Sequence, residues 1–83
     1  METTDIQKLI ETGLPGAQAY VTGDGTHFEA VVVSDAFAGK RMLEQHRMVY
    51  ATLGDRMGGA IHALSIRSFT PQEWARAGRA DAS

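Results

Sequence analysis

Residues 17–34, AQAYVTGDGTHFEAVVVS, decide how this chain folds. Ala17–Thr22 and Phe28–Ser34 read as two strands, the second rich in valine, whose branched β-carbon suits a pleated surface. Between them Asp24-Gly25 supplies a strong hairpin signal, since both residue types tolerate the positive φ that a tight reversal needs. The turn also carries a histidine, His27, directly before the apolar run. A glycine-rich turn beside a strand invites a phosphate-loop reading. That reading fails, because a Walker-type loop requires G-x-x-x-x-G-K-[ST] leading into a helix, and here neither the lysine nor the helix follows.

Upstream, Thr4-Asp5-Ile6-Gln7 has capping-box spacing, and Ile6, Leu9 and Ile10 repeat at helical intervals, predicting a helix to about Thr12. Gly13 is expected as its left-handed stop, with Leu14 folding back and Pro15 forbidding continuation. Downstream, Ser34–Gly39 reads as one capped helical turn. Lys40 to about Met57 reads as a long helix with an apolar stripe of Leu43, His46, Tyr50, Leu53 and Met57. Gly58-Gly59 breaks it. Ile61–Phe69 follows as a third strand, with His62, Leu64 and Ile66 on one face. Thr70-Pro71-Gln72-Glu73 is a capping box with proline at the first helical position, and Phe69 is placed to staple onto Trp74. The predicted whole is a single α+β domain over 1–77, a three-stranded sheet with helices packed on one face, and a mobile tail over 78–83.

An 83-residue chain with 43% hydrophobic and 22% charged residues is expected to fold as one small globular domain. It has no cysteine, which excludes a disulfide framework and any thiolate metal site within one chain. The apolar runs are too short to span a membrane, and METTDIQKLIE lacks the features of a secretory signal, so a cytoplasmic location is expected. A net charge of −2 argues against strong non-specific binding of nucleic acid. The G-x-x-G of a KH domain, which clamps nucleic-acid backbone between two helices, is matched in form by Gly13-Leu14-Pro15-Gly16, but that stretch joins the first helix to the first strand. Lys40, Arg41 and Arg47 remain as a basic group, read first as a solvated face. No catalytic constellation is present; the chain reads as a non-enzyme.

Four ordered motifs carry a family resemblance: Phe37-x-Gly39; Leu43-x-x-His46-Arg47-x-Val49-Tyr50-x-x-Leu53; Ile61-His62-Ala63-Leu64; and Thr70-Pro71-x-Glu73-Trp74. Together they resemble the BolA family over nearly the whole chain, and the GDGTHF turn resembles its IbaG-like branch. The resemblance implies a class II KH-like fold of α-β-β-α-α-β-α order. It also implies a non-catalytic adaptor in iron–sulfur cluster trafficking or iron sensing, sharing a [2Fe-2S] cluster with a monothiol glutaredoxin that carries glutathione. By residue match, the implied ligands are His62 and His27; read from the residues alone, His27 is an exposed turn residue and His62 a strand residue held by its neighbours. Replacing thiolate by imidazole on one iron raises a cluster's reduction potential, and two imidazoles leave thiolate positions for a partner to fill. His46, Tyr50 and Trp74 are read as structural. The alternative function is a DNA-binding transcriptional or stress-response regulator, weakly engaging DNA through Lys40, Arg41 and Arg47. No membrane partner is expected, and the free chain is expected as a monomer or weak homodimer.

Overall fold

Along the second strand Phe28, Ala30 and Val32 are buried, while His27 before them and Glu29 between them are exposed. In the computed structural model, which describes residues 1–82 and the side-chain surroundings of 1–77, this strand (β2, His27–Val33) is the middle of a three-stranded sheet. β1 (Gln18–Gly23) runs antiparallel to it, from Gln18 opposite Val33 to Gly23 opposite Phe28. β3 (Ala63–Phe69) runs parallel to it, from His27 opposite Ala63 to Val33 opposite Phe69. A parallel neighbour demands a crossover. It is supplied by a 3-10 turn over Asp35–Phe37, capped by Ser34 Oγ accepting from the Ala36 N–H at 3.1 Å, and by helix α2 (Met42–Leu53). With α1 (Thr3–Gly13) and α3 (Pro71–Ala82), the expected α+β class is present, and the α-β-β-α-α-β-α order is followed with the 3-10 turn in the place of the first middle helix. The expected tail at 78–83 falls outside the described side chains, and Ser83 outside the described residues.

The core lies between the sheet and helices α1 and α2, where Ile6, Ile10, Phe28, Val32, Phe37, Val49, Leu53 and Ile61 are fully or almost fully buried. α3 approaches the sheet differently. Its capping box forms as expected, with the Thr70 N–H donating to Glu73 Oε1 at 2.8 Å and the Glu73 N–H to Thr70 Oγ1 at 3.3 Å. The expected staple forms too, Phe69 and Trp74 lying 5.3 Å apart, and Trp74 also stacks on Tyr20 at 5.6 Å. Tyr20 alternates with the buried Ala19, so Trp74 covers the sheet face opposite α1 and α2.

Several local expectations are corrected. α1 starts two residues earlier than Thr4 capping would allow: Glu2 is its cap, and the Glu2 N–H donates to Asp5 Oδ2 at 3.0 Å. Gly13 does not end the helix in the left-handed region; it is the last helical residue, and Gly16 takes the positive φ of 85° instead. What Gly13 provides is close approach, since a Cβ there would lie 2.6 Å from Thr52 Cγ2 on α2. Thr52 cannot easily swing away, because its hydroxyl donates to the Val49 carbonyl at 2.6 Å. Gly13→Ala is therefore expected to destabilise the fold in spite of alanine's better helix propensity, worth about 1 kcal/mol, because overpacking costs about 1–3 kcal/mol. A chemical melt in which Gly13→Ala matches or exceeds the parent would show that the two helices separate freely.

α2 ends at Leu53 rather than Met57, with Gly54 at φ 56° terminating it. Its inward line is the half-buried Gln45 and the buried Val49 and Leu53, four-residue steps that rotate the expected stripe away: Leu43 is 62% exposed and Tyr50 39%. A polar residue anchors this seam. Gln45 Nε2 donates to the carbonyls of Phe37 and Lys40 at 3.0 and 2.9 Å, and Gln45 Oε1 accepts from Ser68 Oγ at 2.6 Å, tying the helix to both the crossover and β3. Tyr50 keeps a structural role through its hydroxyl, which donates to the Leu64 carbonyl of β3 at 3.4 Å. His46 is half-buried, with Nε2 enclosed and without a hydrogen-bond partner.

Candidate functional site

Two loops meet at the end of the sheet where β2 and β3 begin. The first is the GDGT turn. Asp24 Oδ1 accepts from the N–H groups of Thr26 and His27 at 2.9 and 2.8 Å, the Asp24 N–H donates to the His27 carbonyl at 3.2 Å, and Gly25 takes φ 96°. Such an Asx turn makes the aspartate side chain substitute for backbone in holding the loop. Gly23 closes the turn from the strand side, where a Cβ would lie 2.5 Å from Phe28 Cδ1 and 2.7 Å from the His27 carbonyl oxygen. His27 is thus an exposed side chain on a backbone fixed by three hydrogen bonds, next to the buried Phe28.

The second loop follows α2. Gly58, at φ 84°, donates its N–H to the Ile61 carbonyl at 2.8 Å, and the Ile61 N–H donates to the Arg56 carbonyl at 2.9 Å. Ile61 is fully buried and pairs as an isolated bridge with Met57. This pins the residue before His62, and β3 pins the residue after it. His62 itself is exposed and precedes the strand, a correction to the expectation that it lies within β3 on the face of Leu64 and Ile66. Because Ile61 turns inward to close the loop, the strand pairing starts only at Ala63.

The register joins the two loops: His27 lies opposite Ala63 in the parallel pair, so His27 at the start of β2 and His62 just before β3 sit at the same sheet end, where neighbouring strands run about 4.8 Å apart. Among the described residues no group of three or more His, Cys, Asp or Glu gathers as a metal site. The fold brings the two histidine-bearing turns to one sheet end.

The basic residues are arranged differently. Lys40 and Arg41 are exposed at the start of α2, Arg41 as its cap residue, and Arg47 is exposed further along the helix. The turn between the 3-10 segment and α2 has one glycine, Gly39 at φ 75°, so a G-x-x-G clamp is absent from that position, as the sequence indicates. His46 and Trp74 lie away from both loops, on α2 and α3. The residue that sequence reading missed is Asp24. It was read only as half of an Asp-Gly turn; the signal for its anchoring role is an aspartate two and three residues before the N–H groups it holds.

These bonds hold the Asp24 carboxyl below its ordinary value of 3.8, the His27 N–H contributing most and the Thr26 N–H next. A lowered carboxyl pKa means that the turn's stabilisation is complete above the unfolded value and is lost as pH falls through the folded one. An NMR titration is expected to show the Thr26 and His27 amides moving together with a midpoint below 3.8. A midpoint at or above that value would remove Asp24 as the anchor of His27.

Comparison with known proteins agrees with the fold and motifs. Residues 11–73 match the family described as BolA-like protein. The acid stress protein IbaG of Escherichia coli strain K12 is 36% identical over 77 residues, 92% of either chain. The DNA-binding transcriptional regulator BolA of the same strain is 44% identical over 52 residues, 63% of this chain and 50% of the regulator. A solved BolA homologue from Coxiella burnetii superposes with a TM-score of 0.85 at 47% identity, covering 92% of this chain and 99% of the other. These relatives bear the names of stress proteins or regulators rather than of enzymes. With the α-β-β-α-α-β-α order and the Ile61-His62-Ala63-Leu64 and Thr70-Pro71-x-Glu73-Trp74 motifs in place, the chain belongs to the BolA family.

Proposed function

We propose that this chain is a non-catalytic cytoplasmic adaptor that shares a [2Fe-2S] cluster with a monothiol glutaredoxin and its glutathione, with His27 and His62 as the chain's own ligands. The observation that carries the reading is the β2–β3 register, which brings the exposed His27 and the start of β3, directly after the exposed His62, to the same end of the sheet. The donor set fits the cargo. Imidazole binds iron well, and with no cysteine in the chain the thiolates that such a cluster needs come from the partner. Bound imidazole would raise the cluster's potential relative to all-thiolate ligation. The chain's contribution is to fix ligand positions. The Asp24 turn holds His27, the Gly58–Ile61 loop holds His62, and buried Phe28 and Ile61 anchor each to the core. A relative named for acid stress and one named as a DNA-binding regulator support a stress-response setting.

Anaerobic reconstitution tests this. With a monothiol glutaredoxin and glutathione, the mixture is expected to give a stable heterocomplex whose visible circular dichroism differs from that of the glutaredoxin alone. The lone chain is expected to retain no cluster through chromatography. A stoichiometric cluster on the lone chain, or a mixed spectrum equal to that of glutaredoxin alone, would defeat the adaptor reading. The DNA-binding regulator is the competing reading. It would be preferred if the isolated protein bound a DNA duplex selectively at physiological salt, with a salt slope flattened by neutralising Lys40, Arg41 or Arg47.

A further inference from the structure

The sheet face turned away from α1 and α2 carries two adjacent cross-strand rows, Tyr20/Val31/Arg67 and Thr22/Glu29/Ser65. Between them lies a trough of about 240 Å³ lined by all six residues, below the usual size range for drug-like ligands of about 300–1,000 Å³. Its two charges, Glu29 and Arg67, are opposite in sign, and both residues are exposed. Arg67 is drawn the other way, its guanidinium lying over the Phe69 ring at 5.3 Å, one row away from Glu29. Tyr20 is fixed as a wall by its stack on Trp74 at 5.6 Å and by its hydroxyl donating to Gln18 Oε1 at 3.1 Å.

The geometry points to a binding site for a small zwitterion, the ammonium-and-carboxylate head of an α-amino acid. The Arg67 fork pairs with the carboxylate, Glu29 accepts from the ammonium, and the Thr22 and Ser65 hydroxyls fill the remaining hydrogen bonds. A simple anion would face Glu29, and a simple cation would face Arg67. A molecule bearing both charges a few atoms apart satisfies both ends. The head can belong to a free amino acid or to the γ-glutamyl end of a thiol peptide. Binding at an open sheet face is weak, in the millimolar range, since exposed ion pairs contribute little. Occupancy requires neither His27 nor His62 to bind iron, so the test runs on the metal-free chain, and its failure leaves the adaptor reading standing.

The experiment is an amide-resolved NMR titration with L-glutamine, reduced glutathione, acetate and butylammonium as separate probes. Saturable shifts are expected at Tyr20, Val31, Ser65 and Arg67 with L-glutamine or glutathione, and affinities at least about tenfold weaker with the two single-charge probes. Arg67→Gln and Glu29→Gln are each expected to abolish saturation, while unchanged amides elsewhere report an intact fold. Tighter binding of glutathione than of glutamine would assign the peptide as the source, and equal binding the free amino acid. The site is overturned if no zwitterion saturates at tens of millimolar, if acetate binds as well as glutamine, or if Arg67→Gln binds like the parent.

Discussion

His62→Ala is expected to erase the histidine-ligated spectrum of the glutaredoxin heterocomplex and leave the chain's melting temperature almost unchanged. Both halves follow from position. His62 is exposed and stands outside the strand ladder, so its removal opens no core cavity, while Ile61 and Ala63 still fix the backbone on either side. On the proposed ligation, loss of one of two imidazoles would leave the cluster with a single histidine from this chain. His27→Ala is expected to act in the same direction with a smaller effect, because the turn is short and exposed enough for water to take the vacated position. The measurement is visible circular dichroism and reduction potential of the two mutant complexes beside thermal melts of the free chains. An unaltered spectrum and potential in both mutants would leave the GDGTHF stretch as a hairpin turn and nothing more.

Phe28→Ala is expected to have the largest effect on stability. Phe28 is buried to 2% exposure and lies between Gly23 of β1 and Leu64 of β3 in the middle strand. Removing such a ring costs about 3–5 kcal/mol, the lost transfer energy plus the cavity that remains. A chain of this length has about 4–12 kcal/mol in total at the usual per-residue stability. The mutant is therefore expected to melt tens of degrees lower or to show no cooperative transition at all. It also bears on the site, since Phe28 follows His27 directly and packs against the glycine that closes the turn. A melting temperature within a few degrees of the parent would mean that the hairpin's inner face repacks without it.

The alternation of residues 28–33, the Asp-Gly turn and the Thr70-Pro71 capping box were legible because each is a local signal whose residues lie within a few positions of one another. They suffice for the element order, and the family motifs then name the histidines. Other features depended on partners distant in sequence. Gly13 reads locally as a helix stop, yet its role comes from Thr52 on another helix. The rotation of the α2 stripe from Leu43 and Tyr50 to Gln45 and Val49 is set by Ser68 and the Phe37 carbonyl, which only the folded chain brings to that helix. Helical periodicity alone leaves this choice open, because residues three and four apart can build more than one neighbouring stripe on the same helix. The pairing of His27 with the start of β3 belongs to this second group: 34 residues, the rest of β2 and most of the crossover, separate it from His62, and a parallel register over that distance is decided by side-chain packing between strands and helices. Sequence determined that His27 lies in a turn and named His62 beside a strand signal; tertiary structure set His62 just before that strand and brought both histidine-bearing loops to one end of one sheet.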